Sequence, residues 1–232
     1  VRARGARLRR SRSLEEAVSQ EQQTRVQVDP RSVPQRDLYF LLTSIIVPRP
    51  IGWISTLGAN GVFNVAPHSY FNAFSSDPPI IGFSSTGIKD TVRNVRYTWD
   101  FVANIVTEDL AEPMNLSATD FPPEESEFTW SGLTPAPSER VRSPRVAEAK
   151  VALECRAMHI LELGRTPSYL VIGEVLLFHI DPAIVRDGRV DPALLRPVGR
   201  LAGSGYSRTA DGLFNIRRLS WQEVRDRKPP LR

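Results

Sequence analysis

The chain has 232 residues, 41% hydrophobic and 24% charged, which is enough apolar chain for one large or two small domains and excludes disorder throughout. Thirty Lys and Arg against 26 Asp and Glu give a net charge of +4. Residues 1–12 hold six arginines and no acid, so the rest carries 24 basic against 26 acidic residues, and a basic face for nucleic acid is excluded from the body.

In chain order, residues 1–35 read as a disordered or extended Arg-rich segment, with Glu15, Glu16 and Glu21 after the arginines. Tyr39–Leu42 and Ile45–Val47 are apolar, and Pro48 and Pro50 then force an extended path. Ile51–Leu57 reads as a strand. Asn60-Gly61 follows as a hairpin turn whose two residues tolerate positive φ. Val62–Phe74 reads as the return strand, with Pro67 placing it at an edge or a bend. Asp77-Pro78-Pro79 is a turn and Ile80–Ser84 a short buried strand. Thr91–Trp99 reads as a helix with Asp90 as its N-cap, because Val92, Val95 and Trp99 share one face. Phe101–Thr107 alternates as a strand, and Leu110–Ala118 reads as a short helix with Pro113 in its first turn. Residues 119–146 are rich in Pro, Ser and Glu and read as a functional excursion or lid. Val151–Leu163 and Ser168–Ile180 are two long strands, followed by turn-rich chain to residue 220 and a C-terminal tail over 221–232.

Six consecutive, hairpin-like strands with few helices point to a mainly β, antiparallel Greek-key barrel over residues 36–220. The longest apolar run, near Leu170–Ile180, is interrupted by Gly173, Glu174 and His179 and falls short of the ~18 residues of a membrane helix. One cysteine, Cys155, excludes an internal disulfide and a Cys-rich zinc site, and points to a reducing, cytoplasmic setting. No Gly-x-Gly-x-x-Gly, nucleophile elbow or metal-ligand spacing is present, so no dinucleotide fold, nucleophilic triad or metal site is expected.

Three stretches could carry chemistry. Asn64–Ser76 interrupts a strand with polar and small residues, Asn64, Ser69 and Asn72 among them, and Pro67 lacks a backbone donor. Such a wall suits a flat heteroaromatic ring, and His68 lies within it. Ser84–Asn94 leaves a strand and enters a helix, where free N–H groups, hydroxyls and Lys89 suit a phosphate. Arg49–Thr56 places Gly52, Ser55 and Thr56 on a strand that a ligand could approach. Haem is a poorer fit, since only His68 is placed as an axial ligand.

Val47-Pro48-Arg49-Pro50-Ile51-Gly52-Trp53-Ile54-Ser55-Thr56, Asn64-Val65-Ala66-Pro67-His68-Ser69-Tyr70-Phe71-Asn72, Ser76-Asp77-Pro78-Pro79, Lys89-Asp90-Thr91-x-x-Asn94 and Phe101-Val102-Ala103-Asn104, in that order and spacing, resemble the flavin reductase-like family of FMN-binding split barrels. Arg200-Leu201-x-Gly203-x-x-Tyr206 resembles its C-terminal segment. The family often has Tyr or Phe where this chain has His68. The resemblance implies a six-stranded split barrel that dimerises with FMN near the subunit interface. It implies NAD(P)H-dependent reduction of the flavin and electron transfer to an acceptor or partner oxygenase, with a flavoredoxin-like electron carrier as the alternative. Carried over by position, Arg49, Trp53, Ser55, Thr56, Asn64, Ala66, Pro67, His68, Ser69 and Phe71 would surround the ring and ribityl chain. Asn72, Ser84, Ser85, Lys89, Asp90, Thr91 and Asn94 would hold the ribityl and phosphate end. No side chain is implied as a catalytic acid or base.

Overall fold

The computed structural model describes residues 25–225, so the Arg-rich start and residues 226–232 lie outside the described chain. Over apolar runs to which the sequence reading assigned no element, and ahead of the extended path expected at Pro48 and Pro50, the first element is a helix, α1 (Gln35–Ile45). Its reason is local. Pro34 sets the entry in an extended conformation. Leu38, Leu42 and Ile45 then recur at helical spacing. At the far end the Arg49 guanidinium collects the carbonyls of Thr43 and Ile46, groups a helix C-terminus otherwise leaves unpaired.

After β1 (Arg49–Pro50) come β2 (Gly52–Leu57) and β3 (Phe63–His68) as a hairpin. Its loop is longer than a two-residue turn. Gly61 N donates to Gly58 O and Gly58 N to Val62 O, and of Asn60 and Gly61 only Gly61 has positive φ. This is a turn followed by a glycine bulge, so Asn60 needs no left-handed conformation.

The expected single strand Val62–Phe74 is two. β3 ends at His68, and β4 (Phe71–Ser76) begins after Ser69-Tyr70. The rest of the main sheet is β5 (Pro79–Thr86), β6 (Asp100–Ile105), β9 (Val151–Leu163) and β10 (Ser168–Ile180), with two-residue strands β7 (Pro135–Ala136) and β8 (Arg145–Val146) in the excursion. The order is β3-β2-β6-β9-β10-β5-β4, antiparallel throughout. The two ends of that order are consecutive in the chain. A two-residue link can join them only if the sheet rolls up, and so the architecture is a barrel with seven strands rather than six. Gly52 permits the close crossing. A Cβ there would lie 2.6 Å from the Phe71 ring.

Alternate residues of β2 face two cores. Ile54 packs inside the barrel with Phe83, Phe101 and Val171. Ile51 and Trp53 pack outside it with Met114, Phe128 and Val146. The helix α2 (Asp90–Thr98) follows β5 and buries Val92 and Val95. The helices α3 (Ala111–Leu116) and α4 (Glu127–Trp130) belong to the outer layer. After a two-residue hairpin, β11 (Val185–Arg186) and β12 (Arg189–Val190), a small sheet brings β13 (Val198–Arg200) and β14 (Tyr206–Arg208) beside β1. Leu213, Phe214, Ile216 and Trp221 are exposed on the C-terminal segment, which ends in a short helix at Trp221–Val224.

The excursion is pinned down by two buried carboxylates. Glu154 on β9 accepts from the amides of Glu139 and Arg140 at 2.9 and 2.6 Å and pairs with His179 at 2.6 Å. Asp100 accepts from the amides of Arg142 and Ser143 and from the Ser143 hydroxyl.

Candidate functional site

A cleft of about 740 Å³ opens where β3 gives way to β4. One wall is the backbone and short side chains of Ala66–Tyr70, faced by Leu38, Tyr39 and Leu42 of α1. Beside it the lining is polar, formed by Ser84, Ser85, Thr86, Lys89 and the start of α2, with Thr166 and Ser168 from the β9–β10 hairpin; Ser84 N donates to Tyr70 O. Ser117–Phe121 and Glu127, from α3 and the excursion, close a further side.

The start of α2 differs from expectation in a useful way. The helix begins at Asp90, and Lys89 occupies the N-cap position without a side-chain cap. Asp90 turns to Arg93 instead. The first-turn amides therefore carry no capping side chain, and their partial positive charge faces the cleft beside Lys89. Lys89 itself meets Asp120 at 2.7 Å across the mouth, both side chains well exposed. Such a pair is worth little and yields readily to another anion.

The floor is a buried polar network. Asn64 Oδ1 accepts from the hydroxyls of Thr56 at 3.3 Å and Thr91 at 3.2 Å. Asn94 Nδ2 donates to Thr56 Oγ1 at 3.0 Å. His68 Nε2 lies 3.4 Å from Thr91 Oγ1, and its ring is tilted against Phe83 with centroids 4.8 Å apart. Burial pushes the His68 imidazole down to about 4; the Ser84 backbone opposes this and the Lys89 charge adds to it. Glu127 is buried at the same floor. Its Oε2 accepts from Val65 N at 3.1 Å, while Ser126 Oγ donates to Phe63 O. α4 thereby covers the open edge of β3, whose amides would otherwise lack partners. Burial raises the Glu127 carboxyl above its ordinary value; bonds from Asn64 and Val65 oppose this and the Asp90 charge reinforces it.

The structure gathers Asn64, Ala66, Pro67, His68, Ser69, Ser84, Ser85, Lys89, Asp90 and Thr91 around the cleft. Asn94 faces a smaller adjoining cavity of about 240 Å³, which shares Asn64, Asp90 and Glu127 with the cleft. Six other expected residues lie elsewhere. Arg49 is buried, with Nη1 on Thr43 and Ile46, Nη2 on Leu201 O and Nε on Ser69 Oγ, and it holds α1 in place. Trp53 is fully buried in the outer core and donates to Ser117 Oγ. Ser55 and Thr56 are adjacent on one strand and so face opposite sides. Ser55 points outward to Pro144 O and receives Asn104 Nδ2, whereas Thr56 supports Asn64 from beneath. Phe71 packs on Gly52, and Asn72 is exposed with its carbonyl on Ala73 N. The leucines of α1, Glu127, Thr166 and Ser168 were not singled out from sequence. The spacing of Leu38 and Leu42 was a legible sign, but nothing around Glu127 distinguishes it from a surface acid.

Among the described residues there is no cluster of His, Cys, Asp or Glu able to hold a metal, and no helix long and apolar enough to cross a membrane. Burial pushes the Cys155 thiol up, which makes it a small core residue rather than a nucleophile.

The flavin reductase like domain matches residues 44–194. An uncharacterized protein of Aquifex aeolicus is 39% identical over 73% of this chain and 88% of its own length. Nitrilotriacetate monooxygenase component B from Bacillus cereus is 34% identical with a TM-score of 0.79, covering 85% of this chain and all of that one. The 2-nitrobenzoate 2-nitroreductase NbaA of Pseudomonas fluorescens is 31% identical with a TM-score of 0.77, over 83% of this chain and 96% of its own.

Proposed function

Because this chain belongs to the flavin reductase-like family, we propose that its cleft binds FMN and that the protein is an oxidoreductase passing electrons from NADH or NADPH to an acceptor. The observation that carries this reading is the polarity of the cleft. A short-side-chain strand wall and the α1 leucines line it together with hydroxyls, an ammonium and uncapped helix amides. FMN calls for the same combination, a flat ring joined through a polyol to a dianion, and the volume lies in the usual range for such ligands, roughly 300–1,000 Å³.

In this reading Ala66–Tyr70 and the side chains of Leu38 and Leu42 hold the ring. Ser84, Ser85, Thr86 and Lys89 hold the phosphate with the first amides of α2, and Lys89 exchanges Asp120 for the ligand. Asn64, Thr56 and Thr91 keep the floor rigid, and the excursion excludes water. Bound FMN supplies the electron-transfer chemistry, and no side-chain nucleophile is needed. The likeness to a monooxygenase component supports a partner oxygenase as acceptor.

A second copy of the chain completes the site. Tyr39, Phe40, Leu42 and Ile45 of α1 and Ile46 after it are exposed. Tyr39 and Leu42 also line the cleft, and so many exposed apolar side chains on one short stretch mark a protein contact. Light scattering during size exclusion tests it, with a dimer expected.

The deciding experiment is a visible spectrum with FMN added, followed by anaerobic NADH or NADPH. Bound-flavin absorbance that bleaches on reductant supports the enzyme. Retained absorbance without bleaching moves the reading to an electron carrier of the flavoredoxin kind, and no bound flavin overturns both.

A further inference from the structure

His68 stands where the family often carries an aromatic ring, and although burial favours its neutral form, its hydrogen-bond partners can serve either protonation state. The Ser84 backbone is one hydrogen-bond partner of the ring. Ser84 N is already given to Tyr70 O, so the partner is the Ser84 carbonyl. The other partner is Thr91 Oγ1, which has one hydrogen and two acceptors in reach: His68 Nε2 at 3.4 Å and Asn64 Oδ1 at 3.2 Å. Asn64 is fixed with that oxygen toward the threonines, because its amide faces Glu127 and Thr56 also donates to Oδ1.

With a neutral ring, Nδ1–H goes to the Ser84 carbonyl and Thr91 donates to Nε2; Asn64 Oδ1 keeps Thr56. With an imidazolium, Nε2–H goes to Thr91 Oγ1, and the threonine hydrogen swings to Asn64. No polar group loses its partner in either state, which is the condition for a buried group to titrate without a large unpaired-group penalty. We propose that His68 is the proton-accepting residue of this cleft, taking a proton from solvent onto Nε2 as the phosphate-bearing ligand binds, with Thr91 as the hinge that allows it. The step breaks one O–H bond of solvent hydronium, forms one N–H bond with the Nε2 lone pair and changes no oxidation state.

Charge supplies the drive. The groups around the ring are Lys89, Asp90 and Arg93 at the start of α2, Glu127 on α4, Asp120 across the mouth, Arg49 on β1 and the phenols of Tyr39 and Tyr70; β2 and β5 bring none. Arg93 is held by Asp90 and Arg49 by backbone carbonyls. Lys89 is the cation that disfavours a second positive charge at His68. A dianion seated on Lys89 cancels that repulsion and attracts the imidazolium. The inference rests on the reading that FMN places its phosphate there.

The test is calorimetric titration of FMN near pH 6 in two buffers of different ionisation enthalpy, with wild type and His68→Phe. Comparing the two proteins cancels the ligand's own phosphate titration. Wild type is expected to take up more protons than the variant, by about half a proton per site. Equal proton counts overturn the inference. If neither protein binds FMN, the functional reading fails and the hinge is judged alone, from the imidazole carbon signals of the ligand-free protein. His68 should then sit in the Nδ1–H form, and Thr91→Val should disturb that signature in a folded protein. An unchanged signature overturns the hinge.

Discussion

Two buried glutamates tie the same excursion to the barrel, Glu154 from beneath it and Glu127 from within it, and they behave in opposite ways. Glu154 is desolvated, yet two amides and His179 outweigh that cost and hold its carboxyl below the ordinary value. Glu127 is likewise buried and also receives three donors, the Asn64 side chain and the amides of Glu127 and Val65, yet is pushed upward. Burial costs both and the donors are equal in number; the neighbouring charge differs, His179 lowering one and Asp90 raising the other. The lowered carboxylate anchors the excursion, and the raised one lines the cleft.

The comparison breaks most visibly at Glu154. Replacing it with Ala strands two loop amides and His179, and should cost about 3–5 kcal/mol in denaturant unfolding. A loss under 1 kcal/mol would mean that water serves the loop equally well. The pH profile should follow the same logic. A depressed folded carboxyl contributes stability above the unfolded value of about 4.3 and loses it as pH falls through the lower folded value. Wild type should therefore weaken in acid over that window, and Glu154→Gln should weaken less steeply.

At the cleft, Lys89→Ala should weaken FMN about tenfold, the effect of one charge-assisted contact, and leave riboflavin unchanged. Fluorescence quenching titrations of both flavins measure this, and equal losses would remove the phosphate from Lys89. The smallest effect is at Glu127, with reversed sign. Its folded carboxyl holds a proton more tightly than the unfolded one, so wild type loses stability as pH rises from about 4.3 through the raised value. Glu127→Gln should gain on wild type across that interval, read as a rising denaturant midpoint relative to wild type. A variant that loses ground as pH rises would show Glu127 to be stabilised as a carboxylate.

What was legible in the sequence follows what a period can carry. β9 and β10 span the residues their alternation marks, because both are long and half-buried. The break of Val62–Phe74 at Ser69-Tyr70 was not legible, since only pairing with two different neighbours divides that run. Ser55 and Thr56 looked like one binding pair, and the pleat separates them. Asp90 had the chemistry of a cap, but Arg93 one turn on draws it away. Glu127 was invisible because its burial depends on an edge strand 62 residues earlier. Ser84, Ser85 and Lys89 fall together on the cleft because one strand-to-helix junction carries them all.

Ser69-Tyr70 joins the two ends of the rolled sheet and also walls the cleft. Ala66–His68 of β3 and Ser84–Thr86 of β5 line it, two strands that share no ladder of their own, so a molecule seated there would work as a clasp between them. Occupancy should therefore slow amide exchange in β3 and at the end of β5 together while leaving β9 unchanged. The empty protein should loosen first at the place where it grips its guest.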